Sequence, residues 1–265
     1  MGADTKALRT RIKSVDSTLH LTKAMGLVAA SKIRKATDRM NKAREYSDVL
    51  TESINTLLGS KEAQRSPYVA THNGNRTKII VIAGDRGLAG GYNSNVFKVV
   101  QEYPEAELIS IGKRAGDRYG DTQIVCESFT YNDCLGLARS LCRDFKENKF
   151  DRLICVHTNY ISVLTQEAAA DEILPVKGNA ETKNSGMIFE PDELTVLNEL
   201  IPEYVAGKIY AYLRESFACE QAARRNAMDS AGKNAEQMIA DLQLQYNRAR
   251  QGAITQEITE IVAGT

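Results

Sequence analysis

Residues 4–58 contain no proline and one glycine, Gly26. Positions 8, 12, 15, 19, 22, 26, 29, 33, 36, 40, 43, 47, 50, 54 and 57 alternate steps of four and three without a slip. Their occupants are Leu8, Ile12, Val15, Leu19, Thr22, Gly26, Ala29, Ile33, Ala36, Met40, Ala43, Ser47, Leu50, Ile54 and Leu57. Only Thr22, Gly26 and Ser47 break the apolar rule, so the spacing predicts one long helix with a coiled-coil seam. At 1.5 Å per residue such a helix runs about 80 Å, far more than a small domain is wide. The seam is uneven: Leu and Ile occupy its ends, and Thr22, Gly26, Ala29, Ala36 and Ala43 its middle. Gly26 reads either as close packing against a partner helix or as a tolerated weak spot costing about 1 kcal/mol against alanine.

The other end of the chain mirrors this. Pro191-Asp192-Glu193 predicts a helix start, with proline in the first helical position and acids against the dipole. Pro202 punctuates again, and residues 203–264 are free of proline. Met228, Ala231, Ala235, Met238 and Leu242 keep a three-four spacing. The stripe then shifts by one through Tyr246, Ala249 and Ala253 and ends on Ile254, Ile258, Ile261 and Val262. Two long terminal helices can pair as an antiparallel coiled coil if the middle returns the chain.

The middle reads as α/β. Residues 77–83, 107–112, 122–126 and 152–157 predict strands by their β-branched runs, with helices over 96–103 and 131–148. Alternating strand and helix implies a mostly parallel sheet. Residues 168–176 follow too closely for a crossover helix and predict an antiparallel edge strand. The expected fold class is α/β: a long antiparallel coiled coil plus a central α/β domain. The expected division is 1–60, 75–190 and 191–265.

Little catalytic chemistry is legible. The loop Gly84-Asp85-Arg86-Gly87-Leu88-Ala89-Gly90-Gly91-Tyr92-Asn93 stands after the first strand, where α/β folds bind phosphate, but it is neither G-x-G-x-x-G nor a P-loop. A tight structural turn is the better reading. His157 reads as an interior histidine, and Asp133 and Asp144 have no evident partner. Cys126, Cys134, Cys142, Cys155 and Cys219 form no C-x-x-C pair and read as reduced thiols, and no His lies at ligand spacing from a Cys, so neither metal nor cofactor is expected. The first five residues lack the apolar segment of a signal peptide, and no run is long and apolar enough to span a bilayer.

The chain carries 34 Lys+Arg and 34 Asp+Glu. A balanced total argues against a general nucleic-acid binder, but residues 1–45 hold eleven cations and four anions, a local excess of seven. Such a face suits an acidic partner. Two rival functions follow from these features: a basic coiled-coil protein that binds nucleic acid, and a nucleotide-binding α/β enzyme with helical arms.

Several segments resemble the gamma subunits of F-type ATP synthases. Ile12-Lys13-Ser14-Val15, Thr22-Lys23-Ala24-Met25 and residues 28–35 are similar to the first helix of that family. Asp85-Arg86-Gly87-Leu88 with residues 90–95 resembles its central loop, and Glu220-Gln221-Ala222-Ala223-Arg224 with Ala227-Met228 the start of its last helix. Residues 242–251 and 254–262 carry the most specific likeness. The order is right and the match covers the whole chain. Ala89 stands where the family usually has cysteine, and the regulatory dithiol of chloroplast relatives has no counterpart.

The resemblance implies a non-catalytic rotor shaft inside three alpha and three beta subunits, seated with the epsilon subunit on a membrane ring of c subunits. It also implies a peripheral location at the cytoplasmic face of a bacterial membrane. It assigns Arg250, Gln251 and Thr255 to a catch on beta, and Met25, Glu257, Thr259 and Glu260 to rotor coupling. Lys32, Arg34 and Lys35 would form a basic contact face, and Glu203, Tyr204 and Lys208 a contact with the c ring or epsilon.

Overall fold

The computed structural model describes residues 2–60, 62–70, 74–120, 125–177 and 189–264, with the side chains of residues 2, 3, 257 and 260 outside that description. Helix α1 spans Gly2–Leu58 and helix α5 spans Glu193–Ala263, 57 and 71 residues. Between them lie β1 (Thr77–Ile82), α2 (Tyr92–Val100), β2 (Glu107–Ile111), α3 (Lys113–Tyr119), α4 (Tyr131–Lys146), β3 (Arg152–Tyr160) and β4 (Gln166–Leu174). The contacts divide the chain into two compact units, Lys32–Ala223 and the pair Met1–Ser31 with Arg224–Thr265.

The heptad grid of α1 is the buried face. Positions 19 through 57 of the grid are all buried, Thr22, Gly26 and Ser47 included, and 8, 12 and 15 are half-buried. Thr22 brings its own hydrogen-bond partner along the helix. Thr22 Oγ1 donates to the Leu19 carbonyl at 2.9 Å, which lowers the cost of burying a hydroxyl.

In the unit formed by the chain termini, α1 and α5 run antiparallel. Gly26 lies against Met228 and Asp229, Thr22 and Leu19 against Gly232, and Lys23 pairs with Glu236 at 2.7 Å. A Cβ on Gly26 would meet its neighbours at 3.6 and 3.7 Å, an ordinary contact. Gly26 is therefore a tolerated weak spot, not a condition for close approach. The buried stripe of α5 also differs from the one expected. It runs Met228, Gly232, Ala235, Ile239, Leu242, Tyr246, Ala249 and Ala253, each buried or half-buried, in an unbroken four-three alternation. Met238 is 45% exposed. Ile239 takes its place and Gly232 takes that of Ala231, so no shift in the stripe is needed.

In the unit Lys32–Ala223 the sheet order is β2-β1-β3-β4. β1 pairs in parallel with β2 and β3, and β4 is antiparallel to β3 along the edge. Residues 122–124 of the expected third strand lie outside the described residues, and Val125 and Cys126 form coil and turn. Side chains alternate between two cores, as a period of two requires. Ile79, Val81, Ile154 and Val156 meet Val96, Val100 and Ala115 on one face. Ile80, Ile82, Leu153 and Cys155 meet α4, Ile54 and Leu57 of α1, and the start of α5 on the other. The chain steps one way from β1 to β2 and back past β1 to β3. Crossovers share one hand, so that reversal places α2 and α4 on opposite faces.

The start of α5 is a core element. Leu197, Ile201, Val205, Ile209 and Leu213 are wholly buried at steps of four. Their packing overrides Pro202, which sits inside the helix instead of ending a segment before it. Asp192, not Pro191, marks the start: its carboxylate accepts from the Thr195 N–H at 2.8 Å. Close approach of α1 and α5 in this unit occurs at Gly207, where a Cβ would stand 2.7 Å from Leu50 Cδ1.

All five cysteines are free and buried. Burial pushes the Cys134 and Cys142 thiols up to about 12 and raises those of Cys126, Cys155 and Cys219 further from the reactive range. Thiolate is the reacting form. Maleimide at neutral pH is expected to leave the native chain unlabelled and to add five adducts in denaturant, read by intact mass. A thiol that labels quickly in the native chain would contradict this burial.

Candidate functional site

The loop after β1 lies beside the reversal of strand order, the place where open α/β sheets take up ligands. Here the chain fills that place itself. Asp85 Oδ1 accepts from the N–H groups of Cys126 at 2.9 Å and Lys113 at 3.2 Å, and Oδ2 accepts from Glu127 N–H at 3.0 Å. Backbone donors that could have cradled a phosphate thus hold a carboxylate. Glu220 of α5, almost fully buried, packs so closely on Gly84 that an added Cβ would lie 2.9 Å from its carboxyl carbon. Asn93 Oδ1 accepts from Gly84 N–H at 2.9 Å, and the Tyr92 hydroxyl donates to the Ser216 carbonyl at 3.0 Å. Ala89, Tyr92 and Cys219 close the contact. Two carboxylates at the mouth repel a phosphate, and the loop's work is to fix the sheet to α5.

The other candidate groups are structural as well. His157 is wholly buried, stacked on Tyr212 at 3.8 Å between ring centroids, with Nε2 3.0 Å from Asp171. That hydrogen bond is the chief cause that lowers the Asp171 carboxyl. Asp133 and Asp144, expected to be without partners, both have one. Asp133 completes a capping box with Thr130 at the start of α4, and Asp144 accepts from Lys149 Nζ at 2.8 Å.

The residues tied to the family resemblance fall into three settings. Arg250, Gln251, Thr255 and Thr259 are exposed along the last turns of α5. Thr255 Oγ1 donates to the Gln251 carbonyl at 2.9 Å and Thr259 Oγ1 to the Thr255 carbonyl at 2.8 Å. Each hydroxyl has spent its hydrogen and offers only lone pairs outward. The side chains of Glu257 and Glu260 lie outside the described residues. Around them Ile254, Ile258, Ile261 and Val262 are 46–70% exposed. Met25 is half-buried on α1, with Leu21 and Val28 exposed at helical spacing on either side.

Lys32 is half-buried and paired with Glu127 at 3.2 Å, whereas Arg34 and Lys35 are exposed and make no ion pair with a described residue. Glu203 accepts from the Tyr131 hydroxyl at 2.7 Å and lies 3.7 Å from Arg139. Lys208 Nζ stands over the Tyr204 ring at 5.8 Å, and burial lowers its pKa. Sequence reasoning gave no structural role to Glu220 and Tyr131, nor to Asp85 as a backbone staple. No local pattern reveals those roles, because the partners lie far off in the chain.

A helix pair whose apolar tip has no cover among the described residues, with an α/β unit whose crevice is closed by its own carboxylates, suits a subunit that engages other chains. A family model described as ATP synthase matches residues 4–265. The chain is 38% identical to the ATP synthase gamma chain of Alkaliphilus metalliredigens, over all of this chain and 98% of that one. It is 35% identical to the sodium-ion-specific gamma chain of Acetobacterium woodii, over all of this chain and 98% of that one. In fold it is similar to a chain of the Euglena gracilis mitochondrial ATP synthase OSCP/F1/c-ring structure, with a TM-score of 0.69, 17% identity, and coverage of 100% of this chain and 94% of that one. The chain belongs to the ATP synthase gamma-chain family, the central-stalk subunits of F-type ATP synthases. It is a subunit of the synthase and not itself the catalyst.

Proposed function

We propose that the chain is the rotor shaft that couples ion flow through a membrane c ring to ATP synthesis and hydrolysis in a ring of three alpha and three beta subunits. The uncovered apolar tip carries this reading: Ile254, Ile258, Ile261 and Val262 remain exposed on a helix end with no cover among the described residues. Apolar patches of this kind mark interaction surfaces. A surrounding ring would cover the tip and let Arg250, Gln251 and Thr255 meet a loop of beta. Thr255 would act there as an acceptor. Arg34 and Lys35 offer free cations to acidic segments of beta, and Lys32 joins them at the expense of its pair with Glu127.

The functional division we read is 1–60 and 191–265 as the shaft and 75–190 as the part that seats it. Glu203, Tyr204 and Lys208 are read as contacts to epsilon or the c ring through their exposed portions. The subunit would be peripheral, on the cytoplasmic face of the membrane. No helix among the described residues is long and apolar enough to cross a membrane. The rotor role also follows from symmetry. Two unequal helices present a different face to each of three beta subunits, and a differential contact is what biases a conformational equilibrium. The coupling ion is a proton or sodium.

The test is reconstitution with alpha and beta subunits. Arg250→Ala with Gln251→Ala is expected to lower steady-state hydrolysis roughly tenfold, the scale of one or two charged hydrogen bonds. The circular dichroism melt should not change, since both side chains are exposed. Unchanged turnover would overturn the catch.

A further inference from the structure

α1, α4 and α5 line a cavity to which the rotor reading assigns no part. It holds about 360 Å³ and is lined by Arg39, Lys42, Ala43 and Tyr46 of α1, Tyr131 of α4 and Tyr210 of α5. Three of its walls are tyrosine rings in a fixed array. Tyr46 and Tyr131 meet edge-on with centroids 5.6 Å apart, and Tyr131 and Tyr210 edge-on at 5.7 Å. Two of the hydroxyls are tied down. That of Tyr131 donates to Glu203 at 2.7 Å and lies 3.1 Å from that of Tyr46. The Arg214 guanidinium lies over the Tyr210 ring at 4.7 Å and fixes the third wall. Ala43, a small residue of the buried seam, adds an apolar surface.

We propose that this cavity is a binding site for a small amphipathic anion, with a flat apolar or aromatic body and a single carboxylate or sulfonate. The size lies within the range of small-ligand sites, about 300–1,000 Å³, and is too small to anchor a protein interface alone. The preformed rings take a flat body edge-on and face-on without the ordering cost of loose side chains. The charge of the lining chooses the ligand's sign. Arg39 is exposed and makes no ion pair with a described residue, and Lys42 is paired only with the exposed Asp38 at 3.3 Å. Three tyrosines could also cage a cation, but two cations line the cavity, and the nearby carboxylates are already engaged, Asp38 by Lys42 and Glu203 by the Tyr131 hydroxyl and Arg139. A bound anion would bridge α1 to α4 and α5 and stiffen that section of the unit.

The chain has no tryptophan, so naphthalene emission can be followed directly. The full-length chain is titrated with 2-naphthoate, with the neutral 2-naphthalenemethanol, and with a naphthyl trimethylammonium salt. Saturable binding of naphthoate at one site is expected, with Kd of about 0.1–1 mM for so small a ligand. Arg39→Glu with Lys42→Glu should weaken it about tenfold. Tyr46→Ala, which removes a half-exposed wall, should weaken all three probes. A melt of each variant reports folding, and the exposed double charge reversal leaves the buried seam intact. No saturable binding, or binding that ignores both variants, overturns the site. Equal affinity for the alcohol, or preference for the trimethylammonium probe, overturns the choice of an anion.

Discussion

Gly112→Ala is expected to lose more than about 3 kcal/mol of stability. Gly112 joins β2 to α3 with φ of +100° and ψ of 138°. An L-residue is strained there, and a Cβ would stand 2.0 Å from the Ala83 carbonyl oxygen and 2.7 Å from its carbon. The obstacle is backbone at the end of β1, which also pairs with β2 through Ala83 N–H and the Ile111 carbonyl at 2.9 Å. Relief would require β1 and β2 to part and would disturb the Asp85 staple, since Lys113 is the next residue. The melting temperature should fall by at least about 6 °C for a domain of this size. Gly136→Ala is the control. Gly136 is exposed in α4 with nothing within 4 Å of an added Cβ, and the change should stabilise by about 0.5–1 kcal/mol through helix propensity. Equal melts for the two variants would refute the geometry of the β2–α3 corner.

Met25→Lys is expected to leave ATP hydrolysis by the reconstituted complex within about twofold of normal while cutting ATP-driven ion pumping at least fivefold, because a new charge-assisted hydrogen bond is worth about 1.5–3 kcal/mol. Met25 is half-buried between the exposed Leu21 and Val28 on α1. This apolar edge gives a sliding partner nothing directional to hold. A lysine there would place a cation at a position that the family resemblance assigns to rotor coupling, where a carboxylate of beta would bond it. The bond would form in one rotary position and resist leaving it. Hydrolysis can proceed with slippage, but pumping needs the shaft to carry torque through each position. Met25→Leu keeps the volume and adds no charge, and it should pump normally. Normal pumping by Met25→Lys at normal hydrolysis would sink the idea, and equal loss in both variants would assign the effect to packing.

The outcomes at individual residues show which information was local. The α1 seam was legible because one face of one helix is a one-dimensional pattern, and its burial follows position by position from 19 to 57. The same reading slipped on α5. Ala231 and Gly232, and Met238 and Ile239, are adjacent pairs in which either member could occupy the seam. Only the partner helix decides which faces it, and here Gly232 faces Thr22 and Leu19. Pro202 is an ordinary helix stop in isolation. Five wholly buried apolar residues at steps of four hold the helix through it.

The candidate site divides in the same way. The proposed contact residues Arg250, Gln251 and Thr255 come from a contiguous motif, and the structure places them exposed near the end of α5. The closure of the loop after β1 has no such motif. Glu220 reaches Gly84 from 136 residues away, and Asp85 collects N–H groups from two other segments. The tyrosine cavity likewise draws on α1, α4 and α5. By itself, then, the sequence determined the two long helices, four of the five expected strands and the family, because periodicity and contiguous motifs are properties of neighbours along the chain. The tertiary structure alone decided which carboxylates close the crevice, which residues complete the seam and where a cavity remains, because those depend on groups that only folding brings together.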